Sequence, residues 1–135
     1  MKFEALTGSI INCAMEVHNI LGSACPTESF RRGFQEVIYQ RALEEEFRLR
    51  NIDFIREFEM DINYKSVLIG TRRVDFFVEG QISVELKAIT LLENLHLAQA
   101  MNYLEAYNLE IGLLINFGNS KLQFHRLTNK KYVPK

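Results

Sequence analysis

Alternating side chains on either side of Gly80 constrain the fold of this chain more than any other feature. Ahead of Gly80, apolar residues alternate with Arg73, Asp75 and Phe77, and beyond it they alternate with Ser83, Glu85 and Lys87. The apolar members of the pattern are Val74, Phe76, Val78, Ile82, Val84 and Leu86. A period of two is typical of β-strands, so the segment is predicted to be a hairpin with these apolar residues on one face.

The charged members of this hairpin suggest a metal site. A slip of one residue would turn one strand over, so the register is restricted to those that place Asp75 directly or diagonally across from Glu85. Directly opposed side chains lie about 4.5–5.5 Å apart at Cβ, and like charges there are destabilising. A Mg²⁺ ion, which proteins commonly hold with one or two carboxylates plus waters and substrate phosphates, would relieve the repulsion. Lys87 is suited to steering an attacking water or stabilising charge on a phosphate. Alternatively, Arg73 and Lys87 neutralise the two acids in an ordinary ion-pair cluster.

The length and composition predict a single domain spanning residues 1–135. The chain has 135 residues, of which 47% are hydrophobic, enough for one sizeable core and too few for two domains. No apolar run approaches the roughly 18 residues of a membrane span, and the first residues lack the apolar stretch of a secretion signal. We therefore expect a cytoplasmic protein that does not enter a membrane. Cys13 and Cys25 lack the spacing of a zinc site or disulfide scaffold and are predicted to be reduced.

The charge distribution excludes one class of nucleic-acid binder. The formal net charge of −1 argues against a protein that coats nucleic acid by charge alone. From residue 111 onwards, however, the chain has five basic residues and no acidic one: Lys121, Arg126, Lys130, Lys131 and Lys135. This segment either forms a positive edge that meets a phosphate backbone or is simply solvated.

Periodicity along the chain predicts an α/β fold. Helical spacing predicts helices at residues 3–21, 34–50 and 92–108, with an exposed loop at 23–32. Besides the hairpin, strands are predicted at residues 54–64, 67–69, 111–115 and 122–127, the last as an edge strand. This order predicts a mixed central β-sheet flanked by helices, with Asp75 and Glu85 on central strands.

Two of the helices carry candidate polar faces. On the third helix, four residues line one face (His96, Gln99, Tyr103 and Tyr107), and the apolar side is predicted to include Leu95, Ala98, Met101 and Leu109. The polar face suits contacts with phosphate and sugar, or it is a half-exposed face whose aromatics cap the core. On the second helix, the predicted apolar face comprises Phe34, Val37, Ile38, Ala42, Leu43, Phe47 and Leu49. Glu36 there either points inward, which requires a partner, or bends to solvent.

Several segments resemble the GxxExxY family. The signature is Gly33-Phe34-Gln35-Glu36-Val37-Ile38-Tyr39, and Glu16-Val17-His18 with Leu21-Gly22 is similar to the segment that precedes it. Further similar segments are Asp75, Glu85-Leu86-Lys87, Gln99 with Tyr103, and Gly112-Leu113-Leu114-Ile115-Asn116-Phe117-Gly118. Val74 stands where the superfamily name has proline, and Ser23 to Arg32 lies where the family has a very short link.

The resemblance implies a PD-(D/E)XK nuclease superfamily domain with a restriction-endonuclease-like core that uses Mg²⁺ or Mn²⁺. By this resemblance, Asp75 and Glu85 hold the metal and Lys87 orients or activates water. The resemblance also assigns a helix acid, Glu36, and a substrate-binding pair, Gln99 and Tyr103. The implied activity is hydrolysis of phosphodiester bonds in nucleic acid, in DNA more than in RNA. The alternative is a non-catalytic binding or interaction module that retains the nuclease fold, and either form is compatible with a homodimer.

Overall fold

The computed structural model describes residues 3–23 and 34–134. Within them lie three helices, Glu4–Leu21 (α1), Glu36–Leu49 (α2) and Asn94–Ala106 (α3). The strands are Phe54–Tyr64 (β1), Val67–Val78 (β2), Ile82–Lys87 (β3), Ile111–Asn116 (β4) and Gln123–Thr128 (β5). The predicted loop at 23–32 and Cys25 lie outside the described residues, apart from Ser23.

The five strands form one mixed sheet, as the periodicity predicts. Their order is β1-β2-β3-β4-β5, with β3 and β4 parallel and every other neighbouring pair antiparallel. The parallel pair follows from the position of α3, because a strand that returns parallel to its neighbour needs a long crossover connection. β3 therefore lies at the centre of the sheet, and β5 lies at an edge.

The main core lies between the sheet and the pair α1 and α2. All six residues of β4 are buried, which explains its continuous apolar run. Phe47 of α2 packs edge-on against Phe76 of β2, with ring centroids 5.1 Å apart. Tyr39 stacks on Phe117 at 4.7 Å, and its hydroxyl donates a hydrogen bond to the carbonyl of Gly22. These aromatic contacts hold α2 against the sheet beside the strands that carry the candidate acids.

The structure corrects the predicted apolar faces of α2 and α3. On α2, the buried residues are Tyr39, Gln40, Leu43 and Phe47, whereas the exposed apolar residues around it are Phe34, Val37, Ile38 and Leu49. The buried stripe repeats every four residues and is too narrow to include all the apolar side chains. On α3, Leu95 is 62% exposed and Ala98 is exposed, while Leu104 packs with Leu114 and Leu127.

The strict alternation predicted for β2 breaks between Val74 and Phe76. Phe76 and Val78 pack in the core formed with α1 and α2, but Val74 packs with Met60 and Tyr107 on the α3 side. β1 changes faces at the same level, since Phe54 joins the first cluster and Phe58 the second. The register of the two strands is unchanged across this point, and the intervening Glu57 has a positive φ of 53°. The prediction that Val74 shares a face with Phe76 and Val78 is therefore wrong.

Candidate active site

Asp75 lies where the pairing of β2 with β3 stops. The last pairs between the strands are Phe77 with Ser83 and Phe76 with Val84, and this register continues to Asp75 opposite Glu85. Instead of continuing the backbone ladder, the side chain of Asp75 accepts a hydrogen bond through Oδ2 from the amide of Leu86, at 2.7 Å. Its carboxylate thus bridges the gap between the two strands.

A second hydrogen bond ties Asp75 to α2. Nε2 of the buried Gln40 donates to Oδ1 of Asp75 at 2.9 Å. Arg56 of β1 contacts Gln40 Oε1 at 3.4 Å, and its Nε lies 2.9 Å from Glu44 Oε2. Sequence reasoning missed Gln40 because apolar periodicity passes over a buried amide. Its position four residues after Glu36, on the same helix face, is the signal that could have found it.

Glu85 forms an ion pair with Arg72. Nη1 of Arg72 lies 2.5 Å from Oε1 of Glu85 and 3.1 Å from the hydroxyl of Tyr107. The guanidinium also lies over the ring of Tyr103, 3.9 Å from its centroid. By contrast, the side chain of Arg73 is 67% exposed and lies 3.9 Å from Glu57. The ion-pair alternative is wrong in naming Arg73, because the change of faces between Val74 and Phe76 points Arg72 at the site instead; its other cation, Lys87, does interact with both acids.

Burial raises the pKa of all three candidate acids. Desolvation raises the pKa of Glu85 to about 7, although Arg72 opposes the shift and the charge of Asp75 adds to it. Desolvation also raises the pKa of Asp75, against the hydrogen bonds from Leu86 and Gln40. Although Glu36 is exposed as a whole residue, desolvation of its carboxyl and the charge of Asp75 raise its pKa, opposed by Lys87 and Arg72. The three acids therefore share one electrostatic environment, in which Lys87 is a nearby cation.

A cleft on the α3 side of the sheet joins Glu85 to the predicted substrate-binding residues. It is a small, half-open cleft of about 10 Å³, roughly the room of one water molecule, and is lined by Arg72, Glu85, Lys87, His96, Gln99, Ala100, Tyr103 and Leu114. Nε2 of Gln99 donates to the hydroxyl of Tyr103 at 3.3 Å, so the two side chains act as one polar edge. Asp75 does not line the cleft, because its carboxylate is turned toward Gln40 and the backbone of β3.

Two of the basic residues near the C-terminus, Arg126 and Lys131, contact other parts of the molecule. Nε of Arg126 donates to Oγ1 of Thr7, and Lys131 pairs with Glu105 at 3.4 Å. Neither residue lines the cleft of Glu85 and Lys87. Of the predicted positive edge, Lys131 is therefore offset by an acid, Arg126 is tied to an uncharged residue, and Lys135 lies outside the described residues.

The donor set of this site fits a hard divalent cation that keeps much of its hydration. Carboxylate oxygens are the ligands Mg²⁺ prefers, and one or two of them suffice when waters or phosphates complete the shell. In the part of the chain that the structure describes, no group of three or more His, Cys, Asp or Glu side chains could hold a metal. Asp75 and Glu85 supply two carboxylates beside the point where β2 and β3 stop pairing, and Arg72 contacts one of the Glu85 oxygens.

A mixed sheet flanked by helices, with acids on its neighbouring strands β2 and β3, defines a restriction-endonuclease-like fold. The sequence profile of the PD-(D/E)XK nuclease superfamily matches residues 4–127, and the chain belongs to that superfamily. The crystal structure of SSO0001 is similar in fold, with a TM-score of 0.53 and 20% sequence identity. The alignment covers 70% of this chain and 50% of SSO0001. This chain therefore spans about half the length of SSO0001. No curated protein matches the sequence. Among the described residues, no helix could cross a membrane.

Proposed function

We propose that this protein is a metal-dependent nuclease that hydrolyses phosphodiester bonds, in DNA more than in RNA. The observation that carries the proposal is the electrostatic interaction of two desolvated acids, Asp75 and Glu85, beside the point where β2 and β3 stop pairing, with Lys87 nearby. An ionised carboxylate is costly to bury without a compensating charge, and an oxygen-preferring cation supplies that charge.

Each candidate residue has a distinct part in this reaction. Asp75 and Glu85 hold Mg²⁺ or Mn²⁺, with Gln40 and the Leu86 amide orienting Asp75. A bound cation would lower the pKa of a coordinated water molecule and polarise the phosphoryl oxygens. Lys87 stabilises negative charge that develops on the scissile phosphate and orients the attacking water.

The remaining candidates contact the substrate and the edge of the site. Gln99 and Tyr103 present an amide and an aromatic hydroxyl along one edge of the cleft, where they position the nucleic-acid strand. Glu36 at the start of α2 accepts a hydrogen bond from water at the site, since its carboxyl interacts with Asp75 and Lys87.

We assign the chain to the GxxExxY branch on its signature, and the placement of Glu36 and Tyr39 supports this assignment. We further propose that residues 1–135 act as one cytoplasmic domain.

One contact favours a second candidate function. Arg72 already neutralises Glu85, as expected of an inactive module that keeps the nuclease fold and uses it for binding, alone or as a homodimer. In that case the ion pair would be a permanent replacement for the metal. A permanent pair and a reactive site differ in whether the protein binds a divalent cation.

Metal binding and cleavage test the proposal together. Purified protein is titrated with Mn²⁺ by calorimetry, and single- and double-stranded DNA and RNA are incubated with it in Mn²⁺. We expect the parent protein to bind Mn²⁺ and Asp75→Asn not to bind it. We also expect the parent protein to cleave nucleic acid, and Asp75→Asn, Glu85→Gln and Lys87→Ala each to reduce cleavage at least about 100-fold, which is the usual effect of removing a group that stabilises charge in the transition state. Glu59→Gln removes an exposed acid from β1 and is the matched control. Absence of Mn²⁺ binding in the parent protein would support the inactive module, and cleavage unchanged in the variants would identify a contaminant.

A further inference from the structure

Arg72 has two kinds of partner, one acidic and one aromatic. One is the carboxylate of Glu85, at 2.5 Å. The other is aromatic: the ring of Tyr103 lies under the guanidinium at 3.9 Å, and the Tyr107 hydroxyl lies 3.1 Å from Nη1. We propose that Arg72 is a displaceable counter-cation, which pairs with Glu85 in the metal-free protein and binds a substrate phosphate when a divalent cation takes its place at Glu85. This inference rests on the proposed nuclease function.

The aromatic partners allow Arg72 to leave Glu85 without losing every contact. An arginine stacked on a tyrosine retains a cation–π attraction and one hydrogen bond after the ion pair opens. Its planar fork also matches the geometry of phosphate oxygens. Arg72 and Tyr103 line the same cleft as Lys87, so a guanidinium that stays stacked on Tyr103 remains beside the position proposed for the scissile phosphate.

Charge determines the direction of the exchange. A divalent cation attracts Glu85 with about twice the Coulomb energy of a guanidinium at the same distance and repels the guanidinium as well. Two cations at one carboxylate are therefore unfavourable until an anion arrives, and the phosphate of a nucleic acid is that anion. An arginine that only supported Glu85 would instead help metal binding by keeping the carboxylate oriented.

The adjacent arginine provides a matched control for this test. Arg72→Gln and Arg73→Gln remove the same charge from the same strand, but Arg73 is largely exposed and pairs with Glu57 rather than Glu85. Mn²⁺ binding is measured by calorimetry in each variant. Binding of a fluorescent phosphorothioate DNA strand, which resists cleavage, is measured by anisotropy in saturating Mn²⁺.

We expect Arg72→Gln to bind Mn²⁺ about tenfold more tightly and the DNA at least about tenfold more weakly, because it removes both a competing cation and a phosphate ligand. Arg73→Gln should change both affinities less than about threefold. Weaker Mn²⁺ binding in Arg72→Gln would overturn the proposal in favour of a supporting role, and unchanged DNA affinity would overturn it as well. If the parent protein binds no Mn²⁺, the proposed nuclease function itself fails.

A second variant keeps the test decisive if Arg72→Gln does not fold. Arg72→Lys retains the charge but loses the planar stack on Tyr103 and the forked donor. We expect it to bind DNA more weakly than the parent protein while binding Mn²⁺ at least as tightly. Reduced Mn²⁺ affinity in Arg72→Lys would again assign Arg72 a supporting role.

Discussion

Replacing Glu85 with glutamine is expected to change how the stability of the metal-free protein depends on pH, so that the variant gains stability relative to the parent protein as the pH rises. Only 17% of the Glu85 side chain is exposed, and burial raises its pKa from 4.5 to about 7. Between these values the folded protein binds more protons than the unfolded chain, so its stability falls as the pH increases. At about 1.4 kcal/mol for each pH unit, ionised Glu85 costs the folded state about 3 kcal/mol above pH 7.

The size of the effect follows from the two pKa values. At about pH 5 the unfolded chain is mostly ionised at this position while the folded protein is protonated, and the penalty is only about 1 kcal/mol. At about pH 8 it is nearly complete. We compare the free energy of unfolding of Glu85→Gln with that of the parent protein. The difference, variant minus parent, is expected to rise by about 2 kcal/mol between pH 5 and pH 8. Loss of the charged partner of Arg72 lowers the absolute stability of the variant but leaves most of this pH dependence intact.

Urea unfolding in a metal chelator, at several pH values, measures the difference directly. Glu59→Gln, which removes an exposed acid, corrects for the loss of one negative charge from the whole protein. A difference between Glu85→Gln and the parent that stays flat from pH 5 to pH 8, or that falls, would refute the reasoning. It would mean that Arg72 compensates fully for the burial of Glu85, and the argument for a destabilised acid pair would fail.

Three further substitutions test how the site is supported. Gln40→Leu leaves Asp75 Oδ1 without its side-chain donor, so it should lower the free energy of unfolding in urea by about 1–3 kcal/mol and weaken Mn²⁺ binding measured by calorimetry. Unchanged Mn²⁺ affinity would show that Gln40 does not orient Asp75. Gly118→Ala places a Cβ 1.8 Å from the carbonyl oxygen of Ile89, so we expect a loss of about 3 kcal/mol or more in thermal unfolding, whereas Gly70→Ala meets nothing within 4 Å and should change little; equal effects would contradict this packing. Phe47→Ala should cost about 3–5 kcal/mol by the same measurement because Phe47 is fully buried against Phe54 and Phe76, and a loss below about 1 kcal/mol would be inconsistent with that core.

Local patterns in the sequence were sufficient to predict most of the secondary structure and the hairpin that carries the two acids. The alternation around Gly80 depends only on neighbouring residues, and it correctly predicted the β2–β3 hairpin whose register continues to Asp75 opposite Glu85. The apolar run at 111–115 likewise corresponds to a fully buried strand. Both helices and strands have a side-chain periodicity that is contained within the segment, so their positions are visible without knowledge of distant contacts.

The partners of the acids depended on tertiary structure. Arg72 reaches Glu85 because β1 and β2 change faces together at the level of Glu57 and Asp75, a distortion that no pattern within β2 reveals. Gln40 reaches Asp75 because the core packing of α2 places that helix over the separating strands. The sequence by itself determined which residues form the strands and which two strands carry the acids. Only the packing of α2, β1 and α3 decided how those acids are compensated, because burial and ion pairing arise from segments far apart in the chain.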